Sequence, residues 1–282
     1  MKASVILATY EWPEALDMVF AGLATQSEKN FEVCLADDGS GVATRRVVEK
    51  WRGALPIRHF RQDHKGFRKS RILNAAIRAS RGATLIFLDG DCVPHREFVE
   101  QHLRLQEKGR YVAGRRVDLS RDVTRALSPA LVGRGYLNGH PMGLLRLFLD
   151  SFREGGSTPF HRAYLVRNPL LRHLTGLDRV VDLKGCNFSV SREDMLAING
   201  FDERYEGYGR EDTDVELRLQ NLGLGIKSAK NLCLQFHLWH EPRAFTPANE
   251  TLLAEVASRK TVRAAVGIHE GDAIQEVTAW AG

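Results

Sequence analysis

Thr84–Pro94 reads TLIFLDGDCVP, a short strand-forming run that stops at Asp89-Gly90-Asp91. An apolar strand ending this way delivers two carboxylates to the carboxyl edge of a parallel sheet, the edge where open α/β folds bind ligands. Carboxylates one residue apart can share a hard divalent cation, directly or through water, and such a cation also takes diphosphate oxygens. Gly90 lets the backbone turn and lets a ligand come close. The competing reading is a strand-ending turn whose aspartate caps a helix at Arg96. The strand context favours the metal site.

Outward from this strand, short apolar runs alternate with helical patterns, as βαβ units building a mostly parallel sheet require. Strands are expected at Ala3–Thr9, Phe31–Ala36, Ile57–Phe60, Thr84–Leu88 and Tyr111–Ala113, with helices near Pro13–Thr25, Thr44–Trp51, Ser70–Ala79 and Arg96–Glu107. Pro13 suits a first helical turn, where a missing N–H costs nothing. From about Arg115 the texture changes to frequent Gly, Pro, Arg and His with interrupted apolar groups, which reads as an insertion or lid over residues 116–181. Regularity returns with a strand at Asn187–Val190, a helix near Arg192–Ile198, and a helix from Glu211 to Leu222 carrying Val215, Leu219 and Leu222 as an apolar stripe. A last strand at Leu232–Phe236 and a helix around Asn249–Val266 complete the pattern. The fold class is α/β, one domain in three parts: 1–115, 116–181 and 182–282.

Composition bounds the function. The 282 residues are 43% apolar, enough for a sizeable core, so disorder and small stapled scaffolds are excluded. No apolar run approaches the ~20 residues that span a bilayer, and Met1 leads into SVILATY without a signal-peptide pattern. The expected location is cytoplasmic, with peripheral association at the inner membrane face as a further option. Cys34, Cys92, Cys186 and Cys233 lie far apart, as reduced thiols do. The net charge of +5 suits phosphorylated ligands, anionic membranes or nucleic acid without choosing among them.

Three further groups carry chemistry. Cys34–Gly41, CLADDGSG, ends a second strand in Asp37 and Asp38, whose carboxylates can accept from a base N–H or ribose hydroxyls; Asp-Gly turns also occur for conformational reasons alone. Lys65, Arg68, Lys69 and Arg71 gather close to the expected helix start at Ser70, an arrangement suited to a diphosphate. In Gly207–Gln220, GYGREDTDVELRLQ, three acids follow two glycines; the helix dipole explains any one of them by ~0.3–1 kcal/mol, but Asp212 is also placed to act as general base, with Glu211 orienting an acceptor. Near the C-terminus FHLWHEP offers His237 and His240 as imidazole ligands completing a shell begun by Asp91. Their odd spacing in a strand puts the rings on opposite faces, so one of them, preferably His237, is expected to bind.

These residues resemble the inverting GT-A glycosyltransferases of family 2. ILATYEWPEAL and CLADDGSG are similar to the nucleotide-binding start of that family, and FLDGDCVP to its DxD motif. Gly185–Gln220, GCNFSVSREDMLAINGFDERYEGYGREDTDVELRLQ, resembles the catalytic segment shared by β-1,4-galactosyltransferases and chondroitin-polymerase-type enzymes, and FRKSRILNAAI resembles the galactosyltransferase segment before the metal-binding acids. The likeness spans roughly residues 2–115 and 183–245. It implies a GT-A fold, Rossmann-like and mostly parallel, with a helical or irregular insertion.

The resemblance also implies site roles. Asp91 would be the principal metal ligand, with Asp89 beside it and a histidine of the HLWH stretch completing the shell for Mn²⁺ or Mg²⁺. The donor set is Thr9, Asp37, Asp38, Arg68, Arg71, Asn74, Asp89, Gly90 and Asp91, with Asp38 by the uridine. Asp212 would be the base and Glu211 an acceptor contact; Tyr208, where galactosyltransferases carry a tryptophan, forms a sugar platform with Gly209. The implied activity is inverting transfer of a hexose or N-acetylhexosamine from a nucleotide sugar, expected to be a UDP-sugar, to a glycan, lipid-linked or small-molecule hydroxyl. The rivals are a sugar nucleotidyltransferase, disfavoured because ATYEWPEAL lacks a Gly-rich phosphate loop, and a non-catalytic nucleotide or glycan binder, disfavoured by the Glu211-Asp212 pair. A nucleic-acid partner is not expected, since basic and aromatic residues do not interleave.

Overall fold

A computed structural model describes residues 1–180 and 182–277; residue 181, the expected end of the insertion, lies outside them. The first part alternates as β1 (Ala3–Thr9), α1 (Pro13–Ala24), β2 (Phe31–Asp37), α2 (Val42–Trp51), β3 (Ile57–Arg61), α3 (Lys69–Ala79) and β4 (Thr84–Asp89). There follow β5 (Cys92–Pro94), α4 (Phe98–Leu105), β6 (Arg110–Ala113) and β7 (Val117–Asp118). Residues 116–181, expected as an insertion, carry α5 (Arg121–Ala126), α6 (Pro129–Gly133), α7 (Pro141–Asp150) and α8 (Pro169–Leu174). The last part holds β8 (Asn187–Ser191), α9 (Arg192–Ala197), α10 (Glu211–Asn221), β9 (Gly225–Ser228), β10 (Gln235–His237) and α11 (Ala248–Arg259).

Among the described residues, seven strands form a sheet in the order β3-β2-β1-β4-β8-β6-β9. The strands β1 to β4 are mutually parallel, and β8 runs antiparallel to both β4 and β6. Alternate residues of β1 serve opposite faces: Val5 and Leu7 join a core with α1, while Ile6 and Ala8 join one with α3, α9 and α10. Apolar side chains on both faces are what a parallel sheet covered by helices requires. The order reverses between β1 and β4, whose ends pair Ala8 with Asp89, so the acidic strand end lies at the topological switch point.

A second sheet, β5-β10-β7, crosses the carboxyl end of the first. Here β10 pairs antiparallel with β5, His237 opposite Cys92, and parallel with β7, His237 opposite Asp118. The expected strand at Leu232–Phe236 is therefore shorter and later, because Cys233 N–H donates to the Ala229 carbonyl and Leu232–Leu234 turns tightly. The terminal helix ends at Arg259 rather than near Val266, where Lys260 adopts φ 50° and breaks the spiral.

This segment is more regular than its texture suggests. Ser120, Ser128 and Asn168 accept from the N–H groups of Val123, Leu131 and Leu171, and Pro129, Pro141 and Pro169 open their helices. Serine or asparagine at the cap and proline at the first turn are helix-start chemistry. Val123, Val132, Leu137 and Leu147 then bury into the core shared with α1.

Asp214 and Arg218, both fully buried, pair within α10, Arg218 Nε lying 2.9 Å from Asp214 Oδ2. Arg218 Nη1 donates to the carbonyls of Ile198 and Gly200, each at 2.7 Å, which ties α10 to the turn after α9. Breaking such a pair leaves an uncompensated buried charge. Arg218→Ala is expected to cost about 3–5 kcal/mol in urea unfolding; a loss below about 1 kcal/mol would match a solvated surface pair instead.

Candidate active site

At the switch point a cleft is lined by Thr9, Tyr10, Trp12, Asp38, Phe67, Lys69, Asp89, Gly90, Asp91, Arg116, Tyr208, His237, His240 and Arg243. A smaller hollow adjoins it, lined by Glu211, Asp212, Gly185 and Phe201 among others, and it shares Lys69 and Asp89 with the cleft. The Lys69–Asp89 pair is thus the wall between the two.

Lys69 Nζ donates to Asp89 Oδ1 at 2.6 Å. Burial alone would lower the ammonium's pKa, but Asp89 and then Glu211 outweigh it and hold the group above the usual lysine range. Burial likewise works against the Asp89 charge, and Lys69 overcomes it, so this carboxylate stays ionised. With an oxygen committed to Lys69, Asp89 does not join the cluster that its neighbour forms. Gly90 is needed for packing: a Cβ there would lie 2.8 Å from the Ala8 carbonyl oxygen.

Asp91, His237 and His240 offer ligand atoms that all lie within 4.8 Å of one another. Asp91 Oδ2 is 3.7 Å from His237 Nε2 and 3.5 Å from His240 Nε2. His237 Nδ1 faces Asp118 Oδ1 at 3.1 Å, and His240 Nδ1 faces the Glu241 carbonyl at 2.8 Å. Both Nδ1 atoms therefore carry hydrogen, and the two Nε2 lone pairs point at each other across 3.1 Å. A shared proton or a cation relieves that opposition, and ring N–H groups bonded to a carboxylate or carbonyl are the usual backing of metal-bound imidazole. The residues fit a divalent ion. The expectation that only one histidine reaches the site is corrected: β10 stops at His237, so strand alternation does not govern His240 and both rings converge.

On the opposite wall Asp38 lines the cleft, its oxygens accepting from Gln62 Nε2 and the Arg68 N–H. Tyr10 stacks on His64 beside it, centroids 4.3 Å apart. Thr9 lines the cleft at the end of β1.

Several expected donor contacts lie elsewhere. Asp37 is fully buried, 2.9 Å from His59 Nε2 and accepting from the Ser40 N–H. The Arg68 side chain turns back to the Asp63 carbonyl. Arg71 binds Gln62 and Asp272, and Asn74 clamps the backbone of Phe201 and the Glu203 carboxylate. For Arg71 and Asn74 the reason is helical geometry. Residue 69 faces the cleft with Ile72 one turn on, so residues 71 and 74 point away from it.

The sequence assigns no site role to Tyr10, Trp12, Phe67, Arg116 or Arg243, which line the cleft, or to Asp118 behind His237, and it offers Lys69 only as one cation of the basic run. The signal for Lys69 was its place in the basic run; Asp118 sits in a two-residue strand that no periodicity reveals. Its carboxyl, with burial working against the charge, is held below the usual range by His237 and Arg116.

In the hollow, Asp212 Oδ2 accepts from the Gly185 N–H at 3.0 Å and Oδ1 from the Thr213 N–H at 2.8 Å. Glu211 is buried, its Oε2 without a hydrogen-bond partner among the described residues. Burial raises its pKa, Lys69 opposes that, and Asp212 adds to it. At the rim Tyr208 meets Phe67 and Phe245 edge-on or tilted at 6.3 and 5.3 Å. Gly209, at φ 105°, packs under the Phe245 ring, where a Cβ would clash, and does not itself line the cleft.

A helix-covered parallel sheet with acids at its switch point, crossed by a short sheet bringing in imidazoles, is a GT-A-type fold, and solved structures agree. TarS of S. aureus, its residues 1–349 bound to UDP-GlcNAc, superposes with a TM-score of 0.61 over 95% of this chain and 69% of that one, at 16% identity. A mannosyltransferase of Pyrobaculum calidifontis, in complex with GDP-Man and Mn²⁺, gives 0.57 over 92% and 69%, at 13% identity.

The chain belongs to glycosyl transferase family 2, whose model matches residues 4–166; a galactosyltransferase model, described as its N-terminal domain, matches residues 177–241. Validoxylamine A glucosyltransferase of Streptomyces hygroscopicus is 27% identical over 243 residues, 78% of this chain and 52% of that protein. Chondroitin synthase of Pasteurella multocida is 31% identical over 101 residues, 36% of this chain and 10% of that one. The chain spans about half the length of the glucosyltransferases it matches.

Glu211 yields a pH prediction. Its folded pKa is raised, so its ionisation destabilises the fold as pH climbs above the ordinary value of 4.5. Glu211→Gln should gain stability relative to the parent as pH rises above the ordinary value of 4.5, followed by thermal melting. A stability difference that shrinks with rising pH would contradict this sign.

Proposed function

We propose that the chain transfers a hexose or N-acetylhexosamine from a UDP-sugar to a hydroxyl acceptor, with inversion and with a divalent ion. The observation that carries this reading is the single wall, Lys69–Asp89, shared by the cleft at the switch point and a hollow holding Glu211 and Asp212. The nucleotide complex of the TarS structure adds support for a uridine donor.

Asp38, with Tyr10 stacked on His64, forms the base end of the cleft. Lys69, Arg116 and Arg243 supply positive charge along it, which stabilises a departing diphosphate. Asp91, His237 and His240 would hold the ion, which when bound takes diphosphate oxygens and neutralises their charge. Two imidazoles with one carboxylate favour Mn²⁺ over Mg²⁺, which prefers oxygen ligands.

Asp212 takes the acceptor proton. The backbone N–H groups of Gly185 and Thr213 fix its carboxylate without consuming all its lone pairs, and Glu211 beside it orients the acceptor. Tyr208, with Phe67 and Phe245, gives the acceptor sugar an aromatic edge to pack on. Because Asp212 removes the proton from a hydroxyl that attacks opposite the leaving group, no covalent intermediate is required.

The direct test is nucleotide release from a panel of nucleotide sugars, with and without EDTA. Asp212→Asn should lower turnover by about 10²–10⁴-fold while leaving UDP affinity unchanged; near-normal turnover would remove the base from this residue. For the ion, calorimetry of Mn²⁺ in the presence of UDP should show no binding to Asp91→Ala and about 10–100-fold weaker binding to Asp118→Asn, which loses the backing of His237. Parental Mn²⁺ affinity in both variants would place the ion elsewhere.

A further inference from the structure

We infer that α7 and the residues after it form a docking surface for an anionic lipid bilayer. The helix is inside out for a surface helix of a soluble domain. Gly143, Leu147 and Asp150 face the protein, whereas Met142, Leu145, Leu149 and Phe152 stand 61, 48, 58 and 74% exposed. Their spacing of three, four and three residues puts them on one face. Phe148 extends that face and meets the Phe152 and Phe160 rings.

Charge decides the occupant. Arg146 and Arg153, seven residues apart, flank the apolar stripe along a groove that also holds Met142, Leu145, Leu149 and the buried Asp150, with Arg153 3.2 Å from Asp122 at its edge. Residues 121–179 contain nine arginines and no lysine against four acids, an excess of five that equals the net charge of the whole chain, +5. The rest of the molecule is electrically balanced. A second copy seated on this face would set arginine against arginine. A bilayer surface with acidic headgroups instead accepts the apolar side chains at the acyl boundary and places phosphates beside the guanidinium groups.

The same insertion presents Leu170, Leu171 and Leu174 outward near Arg167. Among the described residues no helix is long and apolar enough to cross a membrane, and α7, with its polar residues lying to one side, has the make-up of a helix in the interface plane. Docking here is independent of which sugar the cleft takes.

The test uses the purified full chain and sedimentation with vesicles of phosphatidylcholine alone or with about 30% phosphatidylglycerol, at low and high salt. The parent should pellet with the anionic vesicles, not with the neutral ones, and less so at high salt. Leu145→Asn/Leu149→Asn/Phe152→Asn and, separately, Arg146→Gln/Arg153→Gln should each weaken partitioning at least about tenfold. Unchanged circular dichroism and UDP affinity would show that both variants remain folded. Equal pelleting of parent and variants overturns the proposal, as does a parent that ignores anionic vesicles. A concentration-dependent dimer in sedimentation velocity, abolished by the apolar variant without any vesicle binding, assigns the face to a second copy instead.

Discussion

Between β1 and β4 the connecting helices change sides. α1 leaves β1 to cover one face of the sheet, and α3 approaches β4 across the other, so neither closes the gap between the two strand ends. The functional groups are arranged around that constraint. Thr9 and Asp89 end the strands that border the gap, Lys69 opens α3 beside it, and the Lys69–Asp89 contact partitions the space. An ion pair at such a place costs desolvation that its own attraction roughly offsets, so its value lies in geometry. It holds one carboxylate of the DGD turn against the helix start and leaves Asp91 to face the histidines.

The second sheet explains why those histidines are there. β10 is three residues long, yet it lies between β5, next to Asp91, and β7, which carries Asp118. One ladder thus fixes the carboxylate, the imidazole and the group behind the imidazole relative to each other. Backbone pairing limits their movement more tightly than side-chain contacts on loops can, as a cluster of convergent ligand atoms requires.

Legibility in the sequence follows element length. β1, β2 and β4 are six or seven residues, buried on both faces, and the helices between them are ten or more, so their patterns give nearly correct bounds. β5, β7, β9 and β10 span two to four residues, too few for a period of two to register. The misplaced donor contacts have another cause. Arg71 is a member of the basic run and Asn74 enters the donor set with the family resemblance, but a helix turns ~100° per residue, and of the α3 side chains only Lys69 and Ile72 look into the cleft. Asp37 and Asp38 show the same limit in a strand end: adjacent acids point opposite ways, one to buried His59 and the other to the ligand side.

The insertion joins these two levels. It runs outward from Asp118 and touches that residue again at Thr158, since the N–H groups of Asp118 and Thr158 each donate to the other's carbonyl. Trp239, between the two histidines, donates its N–H to Thr124 Oγ1, and Arg121 lies over its ring at 4.9 Å. The arginine-rich segment is thus anchored on the strand pair that orients His237. A surface held by α7 is in this way tied through a few backbone bonds to the metal-type corner of the cleft, and an acceptor carried in that surface would be presented from a fixed direction. Rigid coupling of that kind reduces the orientational freedom lost when acceptor and donor meet, a gain that positioning alone can supply.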